Sequence, residues 1–181
     1  GNECGYGEAD TANDGGAIAI QGSEGVIEGN LFDGNSAGDG SDIFITDSVG
    51  TVEVSQNSFL GGTTADSSAV SGEWKGGAVL IGSNGVLLAN NLFGGHNAAE
   101  GSSGVFIAWA GFYTQVLNNL FIYGSSPDGG AIQFGPNVQF NLPATVANNI
   151  VAENSGWGVY SGYGGQPSAL SHNDVWANSL G

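Results

Sequence analysis

The sequence predicts an all-β fold: a right-handed parallel β-helix, a solenoid of about six coils. Three observations predict it. A short apolar strand led by small residues keeps returning, an asparagine followed by an apolar pair recurs at coil-like spacing, and 34 of the 181 residues are glycine. Average usage would give about 13 glycines at roughly 7%. They follow no G-x-y period, which excludes collagen. The apolar runs between them, with only four prolines, exclude a flexible linker.

The first strands come in two forms. Long versions are Gly15-Gly16-Ala17-Ile18-Ala19-Ile20, Gly76-Gly77-Ala78-Val79-Leu80-Ile81 and Gly129-Gly130-Ala131-Ile132-Gln133-Phe134. Between them lie Asp42-Ile43-Phe44-Ile45, Gly104-Val105-Phe106-Ile107 and Gly158-Val159-Tyr160. The second element recurs at Asn30, Asn57, Asn91, Asn119, Asn149 and Asn173, spaced by 27, 34, 28, 30 and 24 residues. Such uneven spacing describes a constant core with loops of variable length. Residues 15–181 form the predicted solenoid, and residues 1–14 an N-terminal segment or partial first coil.

One coil cannot bury its own apolar residues. Stacked coils can, through parallel sheets with about 4.8 Å between strands, so six coils make a rod about 29 Å long. Equivalent residues then form ladders. Phe32, Phe59, Phe93 and Phe121 are expected in one interior stack, continued by Val151 and Val175. The asparagines are expected in a second ladder at a tight corner, bonded amide to amide and in left-handed backbone angles. A helical solenoid is disfavoured because no window has a 3.6-residue period and glycine costs about 1 kcal/mol per helical site. A β-sandwich fits the coil-like spacing less well.

Charge narrows the partners. Seventeen acids face one base, Lys75, for a net charge of −16. That charge repels phosphate backbones and anionic membrane surfaces, so no nucleic-acid partner is expected. No stretch approaches 18 consecutive apolar residues, so no membrane span is expected. Cys4 is the single cysteine and cannot form an internal disulfide. The chain starts at Gly1 and contains no methionine, as expected of a processed or excised chain whose export signal is gone. The repeat runs almost to both ends with no amphipathic capping helix. The expectation is a piece of a longer β-helix, or ends covered by other subunits.

The pattern G-G-A-[IV]-x-[IF] followed by [VL]-x-N-N-[LI]-[FV] resembles the right-handed parallel β-helix repeats of the pectate-lyase-like superfamily. The resemblance is closest to the Gly/Asn-rich repeats of bacterial surface and autotransporter-like proteins, and it covers about residues 15 to 178. It implies an extracellular or cell-surface location and contact with polysaccharide or other surface proteins. It implies no single reaction, since the superfamily holds lyases, hydrolases, adhesins and tailspikes. Lyases of this fold pair acidic calcium ligands with an arginine or lysine base. Here arginine is absent and Lys75 is the only cationic candidate. The hydrolases' clustered aspartates are also missing, for Asp128 stands alone.

The residues offer three kinds of candidate site. Aromatics crowd two segments: Trp109, Phe112 and Tyr113 in one, Trp157, Tyr160 and Tyr163 in the other. Exposed, they would suit stacking on sugar rings; turned inward, they would seal a loop on the core. Asp39 and Asp42, with similar oxygen-rich turns at Asp14 and Asp128, would suit calcium, which takes six to eight oxygens. The same turns also read as side chains bonding their own backbone. No cofactor is required. His96 and His172 are each expected to be a solvated turn residue or a satisfied ladder neighbour. The expected function is a non-catalytic extracellular β-helix with a structural, adhesive or glycan-contacting role. The alternatives are a filament or matrix subunit stacking end to end, and a polysaccharide lyase or glycoside hydrolase working through Lys75 or Asp128.

Overall fold

A computed structural model describes residues 16–64, 76–108, 113–135, 144–161, 167 and 169–180. It is an all-β parallel solenoid of about five turns, with no helix among the described residues. Cys4 and most of the N-terminal segment fall outside them. Three sheets of six parallel strands run the length of the rod. The first holds Ile18–Gln21, Ile43–Thr46, Val79–Gly82, Val105–Ile107, Gly130–Phe134 and Trp157–Ser161. The second holds Gly25–Glu28, Val52–Ser55, Val86–Ala89, Gln115–Leu117, Thr145–Ala147 and Ala169–Ser171. The third holds Leu31–Asp33, Ser58–Leu60, Leu92–Gly94, Leu120–Ile122, Ile150–Ala152 and Asp174–Trp176. A short fourth sheet of Ser36–Ala37, Thr63–Thr64 and Asn97–Ala98 follows the third.

The recurring strands stack in register, and that register builds the core. Ile43 pairs with Val79 and Val79 with Val105, while Phe59 lies between Phe32 and Phe93 in the third sheet. Alternate residues point inward, where Ile45, Val54, Leu88, Ile107, Val116 and Ile132 are fully buried. The expected phenylalanine stack is present. Ring centroids are 4.8, 4.7 and 4.5 Å apart from Phe32 through Phe59 and Phe93 to Phe121, with planes within 10°. That spacing equals the strand separation, so stacking of the rings and pairing of the strands reinforce each other. Val151 and Val175 continue the column.

Two corners bound the third sheet, and each has its own backbone rule. Before the sheet, Gly29, Gln56, Asn90, Asn118, Asn148 and His172 all have φ between 54° and 70°. After it, Gly34, Gly61, Gly95, Tyr123, Glu153 and Ala177 have φ between 51° and 69°. The left-handed residue is therefore the one preceding each ladder asparagine, not the asparagine itself, which corrects the sequence expectation. The physical reason is a division of labour. One residue bends the chain, and the next turns its amide inward.

Candidate functional site

At the first corner the expected ladder is continuous. Asn91 shows its chemistry. Its Oδ1 accepts from the Asn57 backbone N–H at 2.9 Å, and its Nδ2 donates to Val54 O at 2.9 Å and Asn119 Oδ1 at 3.0 Å. Asn57, Asn119 and Asn149 repeat the pattern. Buried amides so bonded stabilise the corner, where unpaired ones would cost about 1–3 kcal/mol each.

The second corner is built differently. Two residues past each third-sheet strand stand Asn35, Gly62, His96, Gly124, Asn154 and Asn178. Only Asn154 and Asn178 are neighbouring amides, bonded Nδ2 to Oδ1 at 2.8 Å. Lower in the rod, His96 reaches across Gly62 to Asp42. His96 Nε2 lies 2.8 Å from Asp42 Oδ2, and Asn35 Nδ2 donates to Asp42 Oδ1 at 2.7 Å. Asp42 precedes the strand Ile43–Thr46, at the register position that Ala78 and Ala131 fill in other coils. That position faces the core, so Asp42 is wholly buried and His96 is 3% exposed. Gly62 makes the crossing possible. A Cβ there would sit 2.7 Å from the imidazole Cδ2 and Nε2 and 2.8 Å from Ser41 Oγ.

Of the two sequence expectations for His96, a solvated turn or a satisfied ladder neighbour, its burial overturns the first. Asp42 lies 54 positions away and was read with Asp39 as a cation ligand. Both Asp42 oxygens face protein groups, and Asp39 Oδ1 accepts from the Gly76 N–H at 3.2 Å. Asp128 is exposed and stands apart, and Asp14 lies outside the described residues. Among the described residues no group of three or more His, Cys, Asp or Glu is placed to hold a metal ion. The signal that could have found the pair is an acid at a column otherwise filled by Ala and Gly. In the resulting Asn35–Asp42–His96 chain the carboxylate orients the imidazole from its Nε2 side. Both Asp42 and His96 are walled in by the coils.

The aromatic candidates are divided. Trp157 and Tyr160 stack at 6.2 Å between centroids and 25° between planes, with Trp157 38% exposed. Tyr113 is 68% exposed at φ 59°. Trp109, Phe112, Tyr163 and Lys75 lie outside the described residues. His172, in the left-handed column, is exposed.

At the last described coil the core columns end in half-buried or exposed side chains. A cavity of about 450 Å³ is lined by Trp157, Val159, Leu170, His172, Asn173 and Val175, among others. Val159 pairs with Ile132, Leu170 with Val146 and Val175 with Val151, so these are core columns. Leu170 is nevertheless 56% exposed and Val175 41%. The cavity is the core's own cross-section, edged by strands with one free side.

Among the described residues no helix is long and apolar enough to cross a membrane. Compared with protein-family models, with curated proteins and with solved structures, the chain matches none.

Proposed function

We propose that this chain is a structural, non-catalytic β-helix of an extracellular or cell-surface protein, which joins coil on coil through the apolar face of its last described coil. The single observation that carries this reading is the exposure of Leu170 and Val175 at the last described coil. Val159, Leu170 and Val175 belong to columns that are buried from Ile43 to Ile132, from Ile27 to Val146 and from Phe32 to Val151. A further coil of the same kind fits that face, because it would extend all three sheets at once and cover the apolar ends. The strong acidity keeps the sides of such rods apart, since a net charge of −16 disfavours lateral clumping. The likeness of its repeats to those of pectate-lyase-like and bacterial surface proteins supports an exported setting.

Light scattering of the full chain over a range of concentrations, followed by negative-stain imaging, tests this reading. Rods that lengthen with concentration are the expected result. A strict monomer at high concentration would overturn it. Running the series with calcium and with a chelator asks in addition whether calcium strengthens the association. Turnover of a polysaccharide that is lost in Lys75→Ala or Asp128→Asn would instead make the protein an enzyme.

The second reading, glycan contact, is favoured by one observation, the partly exposed Trp157 stacked on Tyr160. Such a pair offers a flat face to a sugar ring. Binding on a glycan array, lost in Trp157→Ala with the rod intact, would support it. An array without binding would remove it.

A further inference from the structure

The second corner contains a polar atom that its own chemistry leaves unused. Asp42 takes His96 Nε2, and Asn35 takes the other carboxylate oxygen. The imidazole is thereby held in one orientation. Since the carboxylate accepts, Nε2 donates, and Nδ1 of the neutral ring is left as an acceptor. Nδ1 is buried and has no hydrogen-bond partner in the protein. A buried acceptor left unpaired in this way is destabilising until something donates to it.

Beside His96 is a cavity of about 10 Å³. Phe93, Phe121 and Ala131 form its apolar wall, and Ser103 and Asn154 contribute polar side chains to it. The volume is that of about one water molecule by the same measure, and a buried water takes two to four polar partners. From this the geometry points to one structural water in the cavity, donating to His96 Nδ1 and bonded on its other side to Ser103 Oγ or Asn154 Oδ1. Asn154 has the capacity. Its Oδ1 accepts from the Gly124 N–H at 2.9 Å and keeps a second lone pair. Gly124 keeps the space open, because a Cβ there would lie 2.5 Å from Ser103 Oγ and 3.0 Å from Asn154 Oδ1.

The water completes the corner. Asn35, Asp42 and His96 form one polar chain low in the rod, and Asn154 and Asn178 form another above it. One bridging water joins them into a single line through all six coils. The water is thus a built component of the fold and holds whether or not the rods associate.

The test is a high-resolution crystal structure of the full chain, paired with NMR of the same chain carrying ¹⁵N-labelled histidine. His172→Asn removes the second histidine so that every ring signal belongs to His96. The expected result is one density peak about 2.7–3.2 Å from Nδ1, with cross-peaks from the His96 ring protons to long-lived water. A dry cavity, a ring turned so that Nδ1 meets a protein donor, or ring protons without a water cross-peak would each overturn the proposal.

Discussion

The two corners of the third sheet solve one problem in two ways. Both turn the chain with a left-handed residue and then point the next side chain inward. At the first corner that side chain is asparagine in all six coils, and every interior amide meets its own kind above and below. At the second the column is mixed, and a histidine spans a glycine to reach an aspartate. A uniform ladder spreads its bonds evenly, so each rung is a replaceable copy. A mixed corner concentrates its bonds in one buried cluster, whose parts have no substitutes. The lesson is that the backbone sets the corner, and the side chains need only satisfy the polar groups left inside.

The sharpest way to break this comparison is His96→Ala. It leaves the Asp42 carboxylate buried with Asn35 alone, and removing one partner of a buried pair costs about 3–5 kcal/mol. The loss is read from the denaturant midpoint. The double variant Asp42→Ala, His96→Ala should lose less than the two single variants together, because alanine already fills the Asp42 column in other coils. Additive losses would mean that the pair does not act as a unit.

Asn91→Ala tests the uniform corner. It removes four side-chain bonds and is expected to cost about 4 kcal/mol, at roughly 1 kcal/mol for each bond. Asn173→Ala, half-buried in the last coil, removes three bonds, two accepted from Asn149 and one donated to Val146 O, and should cost about 2 kcal/mol because water reaches the groups it leaves. Equal losses at the two positions would contradict the ladder picture.

Two neighbouring glycines separate space from backbone strain. Gly62→Ala drives a Cβ into a ring held by Asp42, and overpacking of this kind costs about 1–3 kcal/mol. Gly61→Ala meets open space and pays only for φ 62°, about 1 kcal/mol. Thermal melts of both variants should rank them in that order.

The smallest effect is expected at Glu153, an exposed residue at φ 57°. Glu153→Gly relieves about 1 kcal/mol of left-handed strain and loses roughly half of that to a freer unfolded chain. A gain of about 0.5 kcal/mol is expected, and a loss would show that Glu153 makes a contact that matters more than its backbone angle.

Much of the rod was legible because its signal repeats. The six asparagine elements and the phenylalanines between them sit two residues apart in coil after coil, so each confirms the register of the next. The second corner was not legible in the same way. Its six residues share no side chain type, and the asparagines at 35, 154 and 178 read as scattered turn residues until the strands are stacked. Placing left-handed φ on the wrong residue of the first corner has a related cause. Asn90, Asn118 and Asn148 stand directly before ladder asparagines, and the residue type alone does not say which of the two bends.

By itself the sequence determined the all-β class, the parallel stacking, the phenylalanine column and the first asparagine ladder. Each of these follows from a local pattern that every coil repeats, and stacking identical patterns has one low-energy outcome. Only the tertiary structure decided that Asp42 faces inward and that it meets His96 rather than Asp39. Those outcomes depend on which unlike residues become neighbours after coils of unequal length are stacked. That is a property of register in space, and no single segment of the chain carries it.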